Sequence, residues 1–435
     1  MKKLVFLFCA GMIAISGCGD VVTETVTYQV NEPVFMSAKD FRGSVVVSTK
    51  AQPITDYGKI CFYDGHIYIS ETGKGVHIIN NTIPSRPQNV GFIELLGNAD
   101  LAIRNGKLYA DAYIDLVWFD ITNPEKPKLE GRLENVFQDA LPPTENDYGI
   151  DYQYRYGYDC SKGVIVGWKV KTRKENVTYR NGGTGGAIFP DQVSNSGFDY
   201  ATGSSERTIG GGSMGNGVNG SMSRFALYQD YLYTVINNYM SILDLSGGKP
   251  VKAADNLHIG WDVETIFSYK DNMFMGTPRG MVIYSVANPL QPQYISSVWH
   301  VFGCDPVVVE NDIAYVTINS GNGCGQNTNE LIIYDVSNVE TPQHIVTYAM
   351  TKPKGLGVDR GTLFLCDDGL KIFNATDPKT LMAHQLAHYK GMSGYDVIPF
   401  ENVLMMIAED GLYQYHYSDL DNIKQLSKLP FTKKK

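Results

Sequence analysis

Four aspartates stand just ahead of apolar alternating runs: Asp100 in GNAD, Asp262 in WDVET, Asp305 in GCDP and Asp396 in GYDV. Gathered on one rim, such carboxylates would bind a cation or a polyhydroxylated ligand such as a glycan. Each could instead accept backbone N–H groups in the connection leading into its run, a local use to which Asp is well suited. Recurrence at equivalent positions favours that second use. Trp261, Arg279 and Tyr395 could stack on a sugar or a peptide, although as single residues they also suit ordinary packing.

Other combinations point to less. His384 and His388 are four apart in HQLAH, which reads as a strand. Four strand residues span about 13 Å, too far for one ion. The glycine runs GGTGG (182–186) and IGGGSMGNGVNG (209–220) lack the Gly-Lys-Ser/Thr of a phosphate loop. Neither HExxH nor Gly-x-Ser-x-Gly occurs, and no CxxC pair suggests a zinc site. The sequence thus supplies no catalytic motif and no reason to expect a metal or cofactor. Asn176-Val-Thr matches a glycosylation triplet by pattern only.

The N-terminus has the build of an export signal. Lys2 and Lys3 precede twelve apolar residues, Leu4 to Ile15, too few to span a membrane comfortably as a helix. The following Ile15-Ser16-Gly17-Cys18 resembles the lipobox of bacterial lipoproteins. That resemblance implies removal of residues 1–17 and lipid on Cys18, with the chain anchored in the cell envelope, at the outer membrane. Residues 18–35 then read as the lipidated N-terminus and tether. Without Lys2 and Lys3 the chain carries 35 basic and 46 acidic residues, a net charge of −11. With no basic face beyond Lys433 to Lys435, it is a poor partner for nucleic acid.

Cys9 leaves with the signal; Cys61 and Cys366 lie in apolar alternating runs and read as inert core, and Cys160 sits beside a turn. Cys304 and Cys324 are twenty residues apart in one repeat unit. Outside the cytoplasm they are expected to form a disulfide, worth about 3 kcal/mol for a loop of this size.

The scaffold for these residues is a repeat. With 44 Gly, 19 Pro, 28 Tyr and only 19% charged residues, the composition suits a turn-rich β protein. Hairpin turns recur at Asp64-Gly65, Asn105-Gly106, Lys162-Gly163, Gln229-Asp230, Asp271-Asn272, Asn311-Asp312, Arg360-Gly361 and Glu401-Asn402. Four of the seven gaps between them are 40 to 42 residues and one is 49; the two exceptions flank Lys162. Apolar runs that end in a polar turn follow seven of the eight, as in VWFDITNPEKP from Val117 and IIYDVSNVETP from Ile332. Each unit reads as four short strands, the signature of a propeller blade, whose two faces need neighbours to cover them.

These repeats, LVWFDITNPEKP (116–127), IIYDVSNVETP (332–342), GKGVHIIN (73–80) and GCDPVVVENDIAYVT (303–317), resemble those of the LVIVD-repeat β-propeller lipoproteins of bacteria. The resemblance covers roughly residues 36–425. It implies the fold and is uninformative about function, since members of that family largely lack an assigned activity.

The expectation is therefore an all-β chain with one β-propeller domain over residues 36–435 and a Gly-rich insertion near 172–222. Counting hairpin turns predicts eight blades, with YRYGYDC (154–160) and VIVGWKVK (164–171) as strands of the third. If that unit is an embellishment, there are seven. Blade geometry places the strand 2–3 loops and the lead-in to each first strand on one face, here called upper. It would hold Thr72–Gly75, Tyr113–Asp115, Asn237–Tyr239, Pro278–Gly280 and Asn319–Glu330, together with the four aspartates. The expected function is a lipid-anchored, non-catalytic binding or assembly module that presents this face to a protein or glycan. The alternative is a metal-assisted hydrolase or lyase that uses the acidic rim.

Overall fold

The computed structural model describes residues 21–432 apart from 138–139, 145, 147, 155–157, 181–215, 237, 261, 300–305 and 320–327. The described strands build seven antiparallel blades, spanning 57–94, 101–133, 225–258, 265–299, 307–349, 356–389 and 394–430. Their first strands pack against one another in the order 1 to 7, and blade 7 returns to blade 1. The ring is a seven-bladed propeller, so the eight-blade count is corrected to its alternative.

The reason lies in the irregular stretch. Lys162-Gly163 is the end of a short 3₁₀ turn, Cys160–Lys162, and not a blade hairpin. Residues read as a strand at 154–160 begin with the 3₁₀ turn Tyr152–Tyr154. Val164–Arg180 is one long strand, and its partner is Val21–Met36. The stretch read as a tether thus forms, from Val21 onward, one arm of a two-stranded ribbon. Glu32 ties the arms together through Lys171 (2.9 Å) and Arg173 (3.1 Å). At the ribbon base, Trp168 Nε1 donates to Pro142 O (2.7 Å) and Tyr113 Oη to Val166 O (3.2 Å).

The repeat motif has a physical explanation. In each of the seven blade hairpins the first turn residue is left-handed, with φ between 45° and 52° at Asp64, Asn105, Gln229, Lys270, Asn311, Arg360 and Glu401. This suits the twist of a two-residue connection. The hairpin of blade 4 falls one residue earlier than expected, at Lys270-Asp271. In five of the seven blades an Asn or Asp closing the third strand makes an Asx turn: Asp335 Oδ1 accepts the N–H of Ser337 (2.9 Å), as Asp120 does for Thr122 (2.9 Å) and Asp244 for Ser246 (2.8 Å). Ser285 Oγ takes this role in blade 4, and His416 stands at the position in blade 7. The intervening residue donates back to the hairpin of its own blade, as in Val336 N to Asp312 O (2.8 Å) and Ile121 N to Gly106 O (2.8 Å). All seven third-to-fourth strand pairs carry a register shift, which adds twist toward the rim.

Apolar side chains fill the spaces between blades. Phe267 and Phe274 of blade 4, Val308 and Ile333 of blade 5, and Leu363 and Phe373 of blade 6 belong to one continuous core. Each such fully buried side chain contributes about 1.5–3 kcal/mol. Every blade is contiguous in sequence, so no blade joins the two chain ends. Blade 7 is fastened to blade 1 by an amide pair, Asn81 Nδ2 to Gln414 Oε1 (2.9 Å) and Gln414 Nε2 to Asn81 Oδ1 (2.7 Å). Ser427 Oγ adds a bond to Pro84 O (2.7 Å), and Thr432 N one to Ile54 O (2.8 Å).

Candidate functional site

The propeller channel is filled by its own chain. Asn216 bridges to Arg104 at the lower end of blade 2, and Val218–Asn219 pair with the inner strand of blade 1. The chain climbs from there to Arg224 and turns down into the first strand of blade 3, Phe225–Tyr228. Gly217 N donates to Ile103 O (2.7 Å), Gly220 N to Ile60 O (3.0 Å) and Ile266 N to Ser223 O (3.0 Å). Two glycines are needed for clearance. A Cβ on Gly217 would lie 2.7 Å from Cys61 Sγ, and one on Gly220 would lie 2.2 Å from Asp396 Oδ2. Part of the glycine-rich insertion is therefore a channel plug.

This plug engages two of the four aspartates. Asp396 Oδ1 accepts Ser221 N (2.9 Å), Ser221 Oγ (2.8 Å) and its neighbour Val397 N (2.9 Å). Leu356 N of blade 6 donates in turn to Ser221 Oγ (2.8 Å). Asp100 accepts Ser223 Oγ and Arg224 N (2.7 Å). Both aspartates are completely buried. Lys59 Nζ, also buried, donates to Met222 O. Burial pulls the lysine down to about 8, against the upward pull of the Asp100 and Asp396 charges. Burial likewise pushes the Asp396 carboxyl up to about 7, opposed by its Ser221 and Val397 bonds and by Lys59. Asp396 Oδ2 has no partner among the described residues, as befits a carboxyl that protonates easily.

The remaining predicted residues are scattered. Asp262 and Arg279 are exposed on blade 4. Tyr395 is buried against Tyr57 (5.3 Å between ring centroids) and offers no surface for stacking. Trp261, Asp305, Cys18, Cys304 and Cys324 lie outside the described residues. Cys61 and Cys366 are buried thiols, and Cys160 is half-buried. His384 closes a 3₁₀ turn, Pro378–His384, instead of extending a strand, and His388 Nε2 meets Asp368 O (2.9 Å). Among the described residues, no three His, Cys, Asp or Glu side chains are grouped to hold a metal ion. Nor is any described helix long and apolar enough to cross a membrane.

Sequence reasoning missed a second set of acids, at the ends of second strands. Glu71 accepts Thr55 N (3.1 Å) and Asp56 N (3.1 Å), the residues that lead into blade 1. Asp111 accepts Ala99 N (2.7 Å) and Asp100 N (2.8 Å) ahead of blade 2. Asp367 accepts Lys352 N (2.6 Å) ahead of blade 6 and pairs with Lys371 (2.6 Å). The signal was present in YISE, YADA and FLCD, where an acid follows an apolar run.

Glu71 also lines an open cleft of about 560 Å³ on the upper side of blade 1. Ser44, Gln52, Pro53, Thr55, Lys74, His77, Phe92, Glu94 and Leu96 complete its lining. The short strand Val46–Ser48 walls it off by pairing with Gln88–Glu94. His77 Nε2 lies 2.9 Å from Glu71 Oε2, and Lys74 Nζ 2.9 Å from Oε1. Burial would raise the Glu71 carboxyl, but the bonds from His77, Thr55 and Lys74 prevail and hold it well below the usual carboxylate range. His77 is fully buried, its ring 4.6 Å from that of Phe92. Its Nδ1 has no partner among the described residues.

In sequence, the LVIVD repeat family matches residues 219–247, from the plug through the third strand of blade 3. The chain carries an LVIVD repeat. Comparison with curated proteins finds no match. Among solved structures, a Lactobacillus plantarum protein is similar over 87% of this chain and 97% of its own, with 10% identity and a TM-score of 0.52. The periplasmic gluconolactonase of Pseudomonas aeruginosa covers 86% and 98%, with 10% identity and a TM-score of 0.49. BamB from Moraxella catarrhalis covers 89% and 97%, with 9% identity and a TM-score of 0.46. At 10% identity the likeness to the Lactobacillus plantarum protein is one of fold alone.

Proposed function

We propose that the chain is a non-catalytic binding module of the bacterial cell envelope, held at the outer membrane by lipid on Cys18 and presenting its upper face to a protein or glycan. The observation that carries this reading is the occupied channel. Asp100 and Asp396 are spent on Ser221, Ser223 and backbone N–H groups of the plug and ring. A hydrolase or lyase at the channel mouth would need those carboxylates facing a shared void. The anchor rests on Ile15-Ser16-Gly17-Cys18 and the apolar stretch before it.

Two experiments test this reading. The full chain, purified in mild detergent, is applied to a glycan array and to envelope extracts. Saturable capture that weakens when the upper-face loops are substituted is expected. Metal-dependent hydrolysis that is lost in Asp262→Asn, with no binding partner, would contradict it. Separately, metabolic labelling with an alkyne fatty acid should mark the wild-type chain and not Cys18→Ala; equal labelling of both removes the anchor.

A further inference from the structure

We infer that the cleft on blade 1 is a saccharide-binding site, an assignment that rests on the binding-module reading and names its ligand class. Its volume of about 560 Å³ falls within the ordinary range for small-molecule sites, room for a unit of one or two rings. Its walls combine two kinds of surface. Pro53, Phe92 and Leu96 give an apolar side that suits the C–H face of a pyranose. Ser44, Gln52, Thr55 and Glu94 give hydroxyl, amide and carboxylate groups that suit its hydroxyls.

Charge narrows the class. Glu71, Glu94 and Lys74 leave the lining with one net negative charge, which disfavours phosphate and carboxylate ligands. Glu71 is a positioning residue here. Its oxygens are taken by Thr55, Asp56, Lys74 and His77, so it fixes the 53–56 wall and the imidazole and leaves recognition to others. Glu94 and Gln52 are exposed at the cleft, where a ligand can reach them. The unpartnered Nδ1 of buried His77 is the kind of polar atom that a complete structural latch would have satisfied.

The test titrates the full chain with cellobiose, N,N′-diacetylchitobiose and glucosamine by calorimetry and saturation-transfer NMR. At least one is expected to bind below about 10 mM. Glu94→Gln combined with Gln52→Ala should weaken it at least about tenfold, while Glu340→Gln on the lower face should not; a tenfold change corresponds to about 1.4 kcal/mol. Both substitutions in the cleft are at exposed positions, and an unchanged melting temperature will show that the fold is intact. Absence of binding by all three probes overturns the assignment, as does binding that ignores the cleft variants. In either case, capture of a partner by other upper-face loops would leave the binding-module reading standing.

Discussion

The channel and the blade 1 cleft both hold buried carboxylates, yet they treat them in opposite ways. In the channel Asp396 receives its three bonds on one oxygen while the other has no partner among the described residues. Its carboxyl titrates near 7. In the cleft Glu71 uses both oxygens and has two basic side chains beside it, and it stays ionised. Burial sets the cost of charge; the number and sign of donors decide whether that cost is met. The channel is closed and bonded to itself, whereas the cleft is braced and left open.

Substitutions at the plug should show the largest effects. Gly220→Ala puts a methyl group into Asp396 and Ile60, and overpacking of this kind costs about 1–3 kcal/mol. Gly247→Ala, which meets nothing within 4 Å, should be nearly silent in the same denaturant melts. Ser221→Ala comes next. It removes the acceptor for Leu356 N and a donor to Asp396, worth about 1–3 kcal/mol because buried groups are left unpaired.

The contrast also predicts opposite pH responses. The folded pKa of Asp396, about 7, lies above an unfolded value of about 3.9. Its stabilisation is therefore complete below about pH 4 and is lost as pH rises through 7. Asp111, raised by burial to about 7, adds in the same sense. Glu71 is shifted downward, so its contribution is present above about pH 4.3 and fades as the pH falls. Urea midpoints from pH 4 to 8 should fall less steeply toward alkaline pH in Asp396→Asn than in wild type. Glu71→Gln should be most damaging at neutral pH. The smallest effect belongs to a single repeat turn: Asp335→Ala loses one bond to Ser337 N, about 0.5–1.5 kcal/mol.

The ring was largely legible in the sequence because its parts are local. IIYDVSNVETP encodes a third strand and an Asx turn within eleven residues; the strand recurs once per blade, and the Asx turn in five of the seven. The error came from Lys162-Gly163, a hairpin-like dipeptide that ends a 3₁₀ turn and opens the ribbon strand. The plug was hidden for a different reason. NGVNGSMS has neither strand alternation nor helical periodicity, because its partners are backbone groups and side chains from five other parts of the ring, blades 1, 2, 4, 6 and 7. Only the ring supplies its context. Glu71 is likewise hard to read from the sequence, because it stands after a second strand while the backbone it captures, at Thr55 and Asp56, leads into the first.

Hydrogen–deuterium exchange across residues 216–224 tests the central claim most directly, since exchange reports how firmly a segment is held. A plug that closes the channel and consumes Asp100 and Asp396 predicts that Gly217, Gly220, Ser221 and Arg224 exchange as slowly as the inner strand Tyr57–Tyr63. Exchange as fast as that of the exposed turn 246–248 would mean an open channel, and would return those carboxylates to the list of possible functional groups.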